Sequence, residues 1–209
     1  MQITLSNELA ELHQFILKTF ATTGSSPTVS AIQEQFSLDT EAEVEQLLKE
    51  LEATRAIHRS EGDALVTHAY PFSNEPTPHQ VTLASGVQVY SMCAIDALGI
   101  PFMLKTNASI ASECLECQQS VKVAVENGKV ASHDPDGLMV GYVPMGNCST
   151  PATEQCPHIN FFCSQKHLES WAKAHPEHDL KFMNLDQALE QGERIFGSAM
   201  SGDACCSSS

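Results

Sequence analysis

The sequence feature that most constrains the fold is a proline-rich segment, 71–78, at which the spacing of apolar residues changes from helical to strand-like. This segment holds three prolines separated by Ser, Asn and Glu, a composition typical of a turn or linker. It predicts a boundary near residue 75, between a helical module at 1–75 and a larger domain at 76–200. The small polar residues 201–209 are predicted to be a disordered tail.

The helical module is predicted to contain three helices and a hairpin, an order that resembles a winged helix. The helices are expected at Glu8–Phe20, at Val29–Phe36 and after Asp39 or Thr40, and the hairpin at Ala56–Ile57 and Ala64–Ala69. A winged helix commonly binds DNA, but residues 1–72 carry four Lys or Arg against eleven acidic residues, and the whole chain has a net charge of −15. Nucleic-acid binding needs clustered basic residues, so a structural or substrate-covering module is favoured.

The domain at 76–200 is predicted to be α+β, with a mixed or antiparallel sheet as its core and helices at its flanks. Strand-like patterns occur at Val81–Leu83, Val87–Tyr90, Val121–Val125, Leu138–Val143 and His158–Phe162. Two amphipathic helices are expected at about Gln165–Ala174 and Leu185–Met200.

Eight cysteines require a chemical explanation. The first residues show no secretory signal, and the apolar runs are too short to cross a bilayer, so we expect a cytoplasmic protein without a membrane partner. Thiols stay reduced in the cytoplasm, which favours ligands or reactive groups over disulfides. Cys148 is expected to be incidental, and Cys205 and Cys206 in the tail to be either inert or a mobile relay for a soft metal.

The segment from Tyr90 to Leu104 contains a candidate catalytic pair. Cys93 and Asp96 stand three residues apart in it, among apolar neighbours. On a helix these two side chains share a face. Apolar surroundings raise the pKa of a carboxyl group toward the range useful for proton transfer. In the alternative interpretation, Cys93 is a small buried apolar residue and Asp96 caps a helix or pairs with a cation.

Two further cysteine pairs suggest a soft metal. Cys156 immediately precedes a predicted strand that ends in Cys163, and two thiols near a carboxylate suit a thiophilic ion. The segment from Cys114 to Cys117 is a Cys-x-x-Cys knuckle of the kind found in zinc sites. Together with Cys163, and with either Cys156 or His167, it would complete a tetrahedral zinc site, so a zinc-binding module without catalytic activity is the rival hypothesis.

These motifs together resemble the organomercurial (alkylmercury) lyase family. The segment from Tyr90 to Phe102 resembles the family's helix, in which a catalytic cysteine precedes a catalytic aspartate by three residues. The segment 156–164 resembles its second catalytic motif, and Cys114, followed by the strand at 121–125, resembles the segment with its buried structural cysteine. The resemblance covers essentially the whole chain. In two respects the chain departs from the family: Pro157 stands where many members have a second cysteine, and Cys117 and Cys163 are additional.

The resemblance implies that Cys93, Cys156 and Asp96 cleave the carbon–mercury bond of an organomercurial that arrives as a thiol adduct. One thiolate attacks mercury, the second thiol gives its proton to Asp96, and Asp96 returns the proton to carbon; which thiol acts first is left open. The same three residues then hold Hg(II), which passes to a mercuric reductase or a small dithiol. No organic cofactor is needed. Met92, Phe102 and Phe161 are candidate neighbours of the organic group.

Overall fold

The computed structural model describes residues 6–60, 65–144 and 155–198. These residues form six α-helices: α1 (Asn7–Thr23), α2 (Val29–Phe36), α3 (Glu41–Ala53), α4 (Ala94–Leu104), α5 (Gln165–Ala174) and α6 (Leu185–Phe196). The strands are β1 (Ile57–Arg59), β2 (Val66–Ala69), β3 (Phe72–Ser73), β4 (Gln80–Leu83), β5 (Gln88–Ser91), β6 (Ala108–Glu113), β7 (Ser120–Glu126), β8 (Lys129–Asp134), β9 (Met139–Tyr142), β10 (Ile159–Phe162) and β11 (Lys181–Asn184). None of the six helices combines the length and apolarity that a membrane crossing requires.

The strands form two antiparallel sheets. The large sheet has the order β1-β2-β3-β5-β4-β6-β7-β8, and the small sheet has the order β10-β9-β11. Every pair of neighbouring strands in these two sheets is antiparallel, which confirms the α+β class and decides between the mixed and antiparallel alternatives. The alternation of buried and exposed side chains along β7 is the pattern of a sheet with one face on the core.

The large sheet continues through the proline-rich segment. Strand β3 lies within residues 71–78 and pairs with β2 on one side and β5 on the other. The hairpin of β1 and β2 is therefore joined to the same sheet as the strands that follow, and Phe20 of α1 stacks on Phe72 at a ring-centroid distance of 5.3 Å. The division into domains near residue 75 stays a prediction.

Helix α4 is the buried centre of the fold. Nine of its eleven residues are buried, including Asp96, as expected for a helix that is apolar on all sides. It packs on β4, β5 and β6 of the large sheet, on β10 of the small sheet and on α6. The contact with α6 is close because two glycines meet: a Cβ atom on Gly192 would lie only 2.9 Å from the backbone nitrogen of Gly99.

The predicted elements of the larger domain agree with the structure, with four differences. Strands β6, β8 and β11 were not predicted, and α6 ends at Phe196 rather than near Met200. Strand β8 is exposed or half-exposed along its whole length, so its sequence lacks the apolar alternation that marks a strand.

The tail 201–209 and three of the cysteines (Cys148, Cys205 and Cys206) lie outside the described residues.

Candidate active site

Cys93 lies between strand β5 and helix α4 and caps the helix. Its backbone is extended, and its Sγ accepts a hydrogen bond of 3.3 Å from the backbone N–H of Asp96. Ser or Asp usually fills this role, because a helix begins with N–H groups that lack partners. The cap fixes the thiol and the carboxyl group of Asp96 against one another at the start of α4.

Cys156 reaches the same place from a distant part of the chain. It opens a short 3-10 helix, Cys156–His158, which leads directly into β10. Its thiol donates a hydrogen bond of 3.4 Å to Asp96 Oδ2. One Sγ from each of the two cysteines and a carboxylate oxygen of Asp96 lie within 4.8 Å of one another. The structure thus brings together the three residues that the sequence singled out as catalytic.

Burial sets the protonation of Asp96. The side chain is fully buried, and loss of water raises its pKa from the usual value to about 7, although contacts with Cys93, Tyr70 and Cys156 oppose the rise. The alternative in which Asp96 pairs with a cation is not observed among the described residues, since no salt bridge includes it. A carboxyl group with this pKa is present in both protonation states near neutral pH, as a proton shuttle requires.

Both thiols are held in their protonated form. Burial raises the pKa of Cys93. The neighbouring Cys93 sulfur, burial and the charge of Asp96 together raise the pKa of Cys156. No Lys, Arg or His is among the described residues that line the cavity around the two thiols. Among the described residues, the base nearest to either thiol is therefore Asp96.

The three residues open into a cavity of about 150 Å³. Its wall is largely apolar and aromatic, with two glutamines as further polar groups: it consists of Tyr70, Cys93, Ile95, Asp96, Tyr142, Gln155, Cys156, Ile159, Met183, Gln191 and Ile195. The expected neighbours Met92, Phe102 and Phe161 are not among these residues; Phe161, for example, packs edge-on against His79 instead. The cavity has room for a small organic group next to the thiols.

Tyr70 is a site residue that the sequence did not indicate. It precedes β3, its ring packs on Phe196 at 5.0 Å, and its hydroxyl group interacts with Asp96. Burial, followed by the charge of Asp96, raises the pKa of Tyr70 well above its usual value, so the phenol stays protonated. Asp96 Oδ1 accepts no hydrogen bond of ordinary geometry from the described residues. Nothing in the sequence around Tyr70 predicts this position.

A second cluster contains the remaining candidate ligands. Cys114, Cys117, Cys163 and His167 offer ligand atoms that lie within 4.8 Å of one another. The fourth member is His167 and not Cys156, which decides between the two alternatives left open by the sequence. Burial raises the pKa of Cys163 to about 12. Burial acts in the same direction on Cys114, but backbone N–H groups outweigh it and lower the pKa to about 7.

The family of the chain follows from comparison with known proteins. The family model described as MerB, alkylmercury lyase, matches residues 72–197, a range that contains Cys93, Asp96 and Cys156 and all four residues of the second cluster. The chain belongs to the alkylmercury lyase family. Among the members of this family, the alkylmercury lyase of Staphylococcus epidermidis is 27% identical over 177 residues, which are 83% of this chain and 80% of that protein. The alkylmercury lyase of Bacillus cereus is 30% identical over 136 residues, 63% of this chain and 61% of the relative.

A solved structure supports the same family assignment at the level of the fold. It is described as the crystal structure of the mercury-bound form of MerB2 and superposes with a TM-score of 0.77 at 27% identity. The superposition covers 94% of this chain and 93% of the other, so it includes the helices before residue 72 as well as the matched domain. The alkylmercury lyase fold therefore extends over nearly the whole chain.

Proposed function

We propose that this alkylmercury lyase cleaves the carbon–mercury bond of organomercurials with Cys93, Cys156 and Asp96. The observation that carries the proposal is the contact of two thiols with one buried carboxyl group in a single cavity. Thiolates bind soft ions such as mercury, and the carboxyl group supplies the proton that carbon must gain. Mercury enters as part of the substrate, and no step requires an organic cofactor.

Binding exchanges one thiol ligand of mercury for another. The substrate enters as R–Hg–SR′, and Cys93 replaces the small thiol, which leaves as R′SH with the proton of Cys93. The thiolate is the form that binds a metal, and the N-terminus of α4 favours negative charge at the Cys93 sulfur. The apolar wall of the cavity surrounds the organic group and excludes water.

Asp96 then moves one proton from sulfur to carbon. The thiol of Cys156 already donates a hydrogen bond to Asp96 Oδ2, so Asp96 takes this proton, and the Cys156 thiolate becomes the second sulfur ligand of mercury. Asp96 is now protonated, which burial favours. As the carbon–mercury bond breaks, its electron pair goes to carbon, carbon takes the proton from Asp96, and RH is released.

Hg(II) remains on the sulfurs of Cys93 and Cys156, with Asp96 as a third ligand. Because mercury–thiolate bonds exchange readily with other thiols, a small dithiol or a mercuric reductase is the acceptor that we propose for the product. Reduced thiols are needed at every step, so we infer that the reaction takes place in the cytoplasm. Neither a nucleic acid nor a membrane has a part in it.

The N-terminal module has, in our proposal, a structural role. We interpret α1, α2, α3 and the β1–β2 hairpin as winged-helix-like, and we infer that the module supports the large sheet instead of binding DNA. Phe20 and Phe72 join α1 to this sheet, and Tyr70, which follows the hairpin, lines the cavity. The acidic character of residues 1–72 supports this interpretation.

The experiment is release of benzene from phenylmercury by the purified full chain in excess thiol. The expected result is turnover by the wild type and none above background for Cys93→Ser and Cys156→Ser, since a serine hydroxyl is a poor ligand for mercury. Cys148→Ser is the matched control: it removes a thiol that the sequence marks as incidental and should leave turnover intact. Absence of benzene with the wild type, or full activity of Cys156→Ser, would contradict the proposal.

A further inference from the structure

A second group of soft ligands is assembled outside the cavity. It combines the turn between β6 and β7, which carries Cys114 and Cys117, with the junction of β10 and α5, which carries Cys163 and His167. Cys117 and Cys163 are 46 positions apart, yet their Sγ atoms lie 3.7 Å from one another. His167 Nδ1 lies 2.8 Å from Cys163 Sγ and 3.9 Å from Cys114 Sγ.

These distances fit a tetrahedral zinc site. With Zn–S bonds of about 2.3 Å and Zn–N bonds of about 2.0 Å, a tetrahedron places two sulfurs about 3.8 Å apart and a sulfur and a nitrogen about 3.5 Å apart. The observed sulfur–sulfur distance is close to the first value. The two sulfur–nitrogen distances lie on either side of the second, so a small movement of His167 away from Cys163 would complete the geometry.

The backbone around Cys114 is arranged as in a metal-binding knuckle. Backbone N–H groups of Glu116, Cys117 and Cys163 lie near the Cys114 sulfur. The turn is closed by a bond of 2.8 Å from the N–H of Gln118 to the Cys114 carbonyl. Amide donors around a ligating sulfur orient it and stabilise its thiolate form.

A disulfide would explain the cluster less well. The sulfurs of Cys117 and Cys163 are in contact but not bonded, since a disulfide bond is about 2.05 Å long, and all the cysteines of the cluster are free. A disulfide would also leave Cys114 and His167 without a role. Four protein ligands of the Cys₃His type close the coordination sphere, which is typical of structural zinc and not of catalytic zinc.

We propose that Cys114, Cys117, Cys163 and His167 bind one zinc ion as a structural site. The ion would tie the end of β10 and the start of α5 to the turn of the large sheet, beside the hydrogen bond from the Leu115 N–H to the Phe161 carbonyl at 3.0 Å. Cys156 stands at the opposite end of β10, so the zinc fixes the strand that presents a cavity thiol. The site uses none of the three residues that we assign to carbon–mercury cleavage.

The test is metal analysis of the full chain purified with a phosphine reductant and without chelator. We expect about one zinc ion per chain. Cys117→Ser and His167→Gln should each lose the zinc on dialysis against a weak chelator; Cys117 is exposed and His167 half-buried, so neither change disturbs the packing of the core. Cys93→Ser is the matched control and should retain zinc. Cobalt loaded in place of zinc should show thiolate charge-transfer bands that weaken in Cys117→Ser and in His167→Gln but not in Cys93→Ser.

Three results would overturn the proposal. Wild-type protein that retains no zinc and develops no cobalt–thiolate bands would show that the four side chains are unmetallated. Zinc lost from Cys93→Ser but kept by Cys117→Ser would assign the metal to the cavity instead. Mercury bound at the cluster in protein that takes up no zinc would make it a mercury site. Because these readouts do not depend on benzene release, they separate failure of the zinc site from failure of the lyase proposal.

Discussion

The thiol of Cys156 donates a hydrogen bond of 3.4 Å to Asp96 Oδ2, although the two residues are 60 positions apart in the sequence. The contact depends on two local structures, one at the start of α4 and one at the start of β10. The cap formed by Cys93 fixes Asp96 in the first turn of α4, and a short 3-10 helix presents Cys156 at the start of β10. Because α4 packs directly on β10, the two ends meet inside the core, where water is excluded. The reactivity of the site should therefore depend on both the carboxyl group and the packing around it.

Asp96→Asn should separate mercury binding from catalysis. Both thiols remain, so the variant should still bind one Hg(II), but an amide does not carry the proton from sulfur to carbon. We expect turnover of phenylmercury to fall by at least about 100-fold, the lower end of the range for loss of a general acid–base group. Equilibrium dialysis with Hg(II) and benzene release would be measured on the same preparation. Undiminished turnover would remove Asp96 from proton transfer.

The buried carboxyl group of Asp96 should also make stability depend on pH. Its folded pKa is about 7, whereas an unfolded Asp titrates near 4, so between these values the folded state holds a proton that the unfolded state has lost. Stability therefore falls as pH rises from about 4 to about 7. Relative to wild type, Asp96→Asn should gain on the order of 4 kcal/mol in unfolding free energy between about pH 4 and pH 8.

Urea unfolding of both proteins at several pH values, in the absence of mercury, measures this difference. Asn leaves the cavity nearly unchanged in size, so effects that do not depend on pH cancel in the comparison. Parallel stability curves for the two proteins would mean that Asp96 has an ordinary carboxyl pKa in the folded state.

Tyr70→Phe should move the acidic limb of the activity profile. The hydroxyl group of Tyr70 lowers the pKa of Asp96, so its removal should raise that pKa and shift the ascending limb of kcat/KM to higher pH. The ring contact with Phe196 is preserved by phenylalanine, and the thermal stability should change little. An unchanged profile with reduced kcat at all pH values would indicate instead that Tyr70 orients the substrate.

Gly192→Ala should disturb the site from a distance. The new Cβ would lie 2.9 Å from the Gly99 nitrogen, so α4 and α6 must move apart. We expect a loss of about 1–3 kcal/mol in stability and lower turnover, because α4 carries Cys93 and Asp96 at its start. Glu190→Ala, an exposed change on the same helix, is the control and should affect neither quantity. A fully stable Gly192→Ala variant would show that the two helices are not in close contact.

Much of the fold was predictable because apolar residues repeat clearly. The helix Gln165–Ala174 has the predicted ends, and the strands near Val81, Val121 and His158 agree within two residues, since one face of each is buried. Strand β11 was missed because Lys181, Phe182 and Asn184 are exposed, and an exposed edge strand has no apolar alternation. Where both faces of a strand are exposed, the spacing of apolar residues does not predict the strand.

The site was predictable in part for a related reason. Cys93 and Asp96 are local neighbours, and helical spacing is enough to place them together. Their contact with Cys156 follows only from the resemblance or from the tertiary structure. Tyr70 and the choice of His167 over Cys156 in the second cluster depend on the packing of separate elements, which sequence spacing does not encode.

The source of the hydrogen in the released hydrocarbon tests the proposed chemistry most directly. In deuterated water the thiol of Cys156 and the carboxyl group of Asp96 exchange their protons, so the product should carry solvent deuterium at the carbon that mercury left. Phenylmercury turned over by the full chain should therefore give benzene with a single deuterium, as measured by mass spectrometry. Unlabelled benzene from the same reaction would contradict proton transfer through these groups.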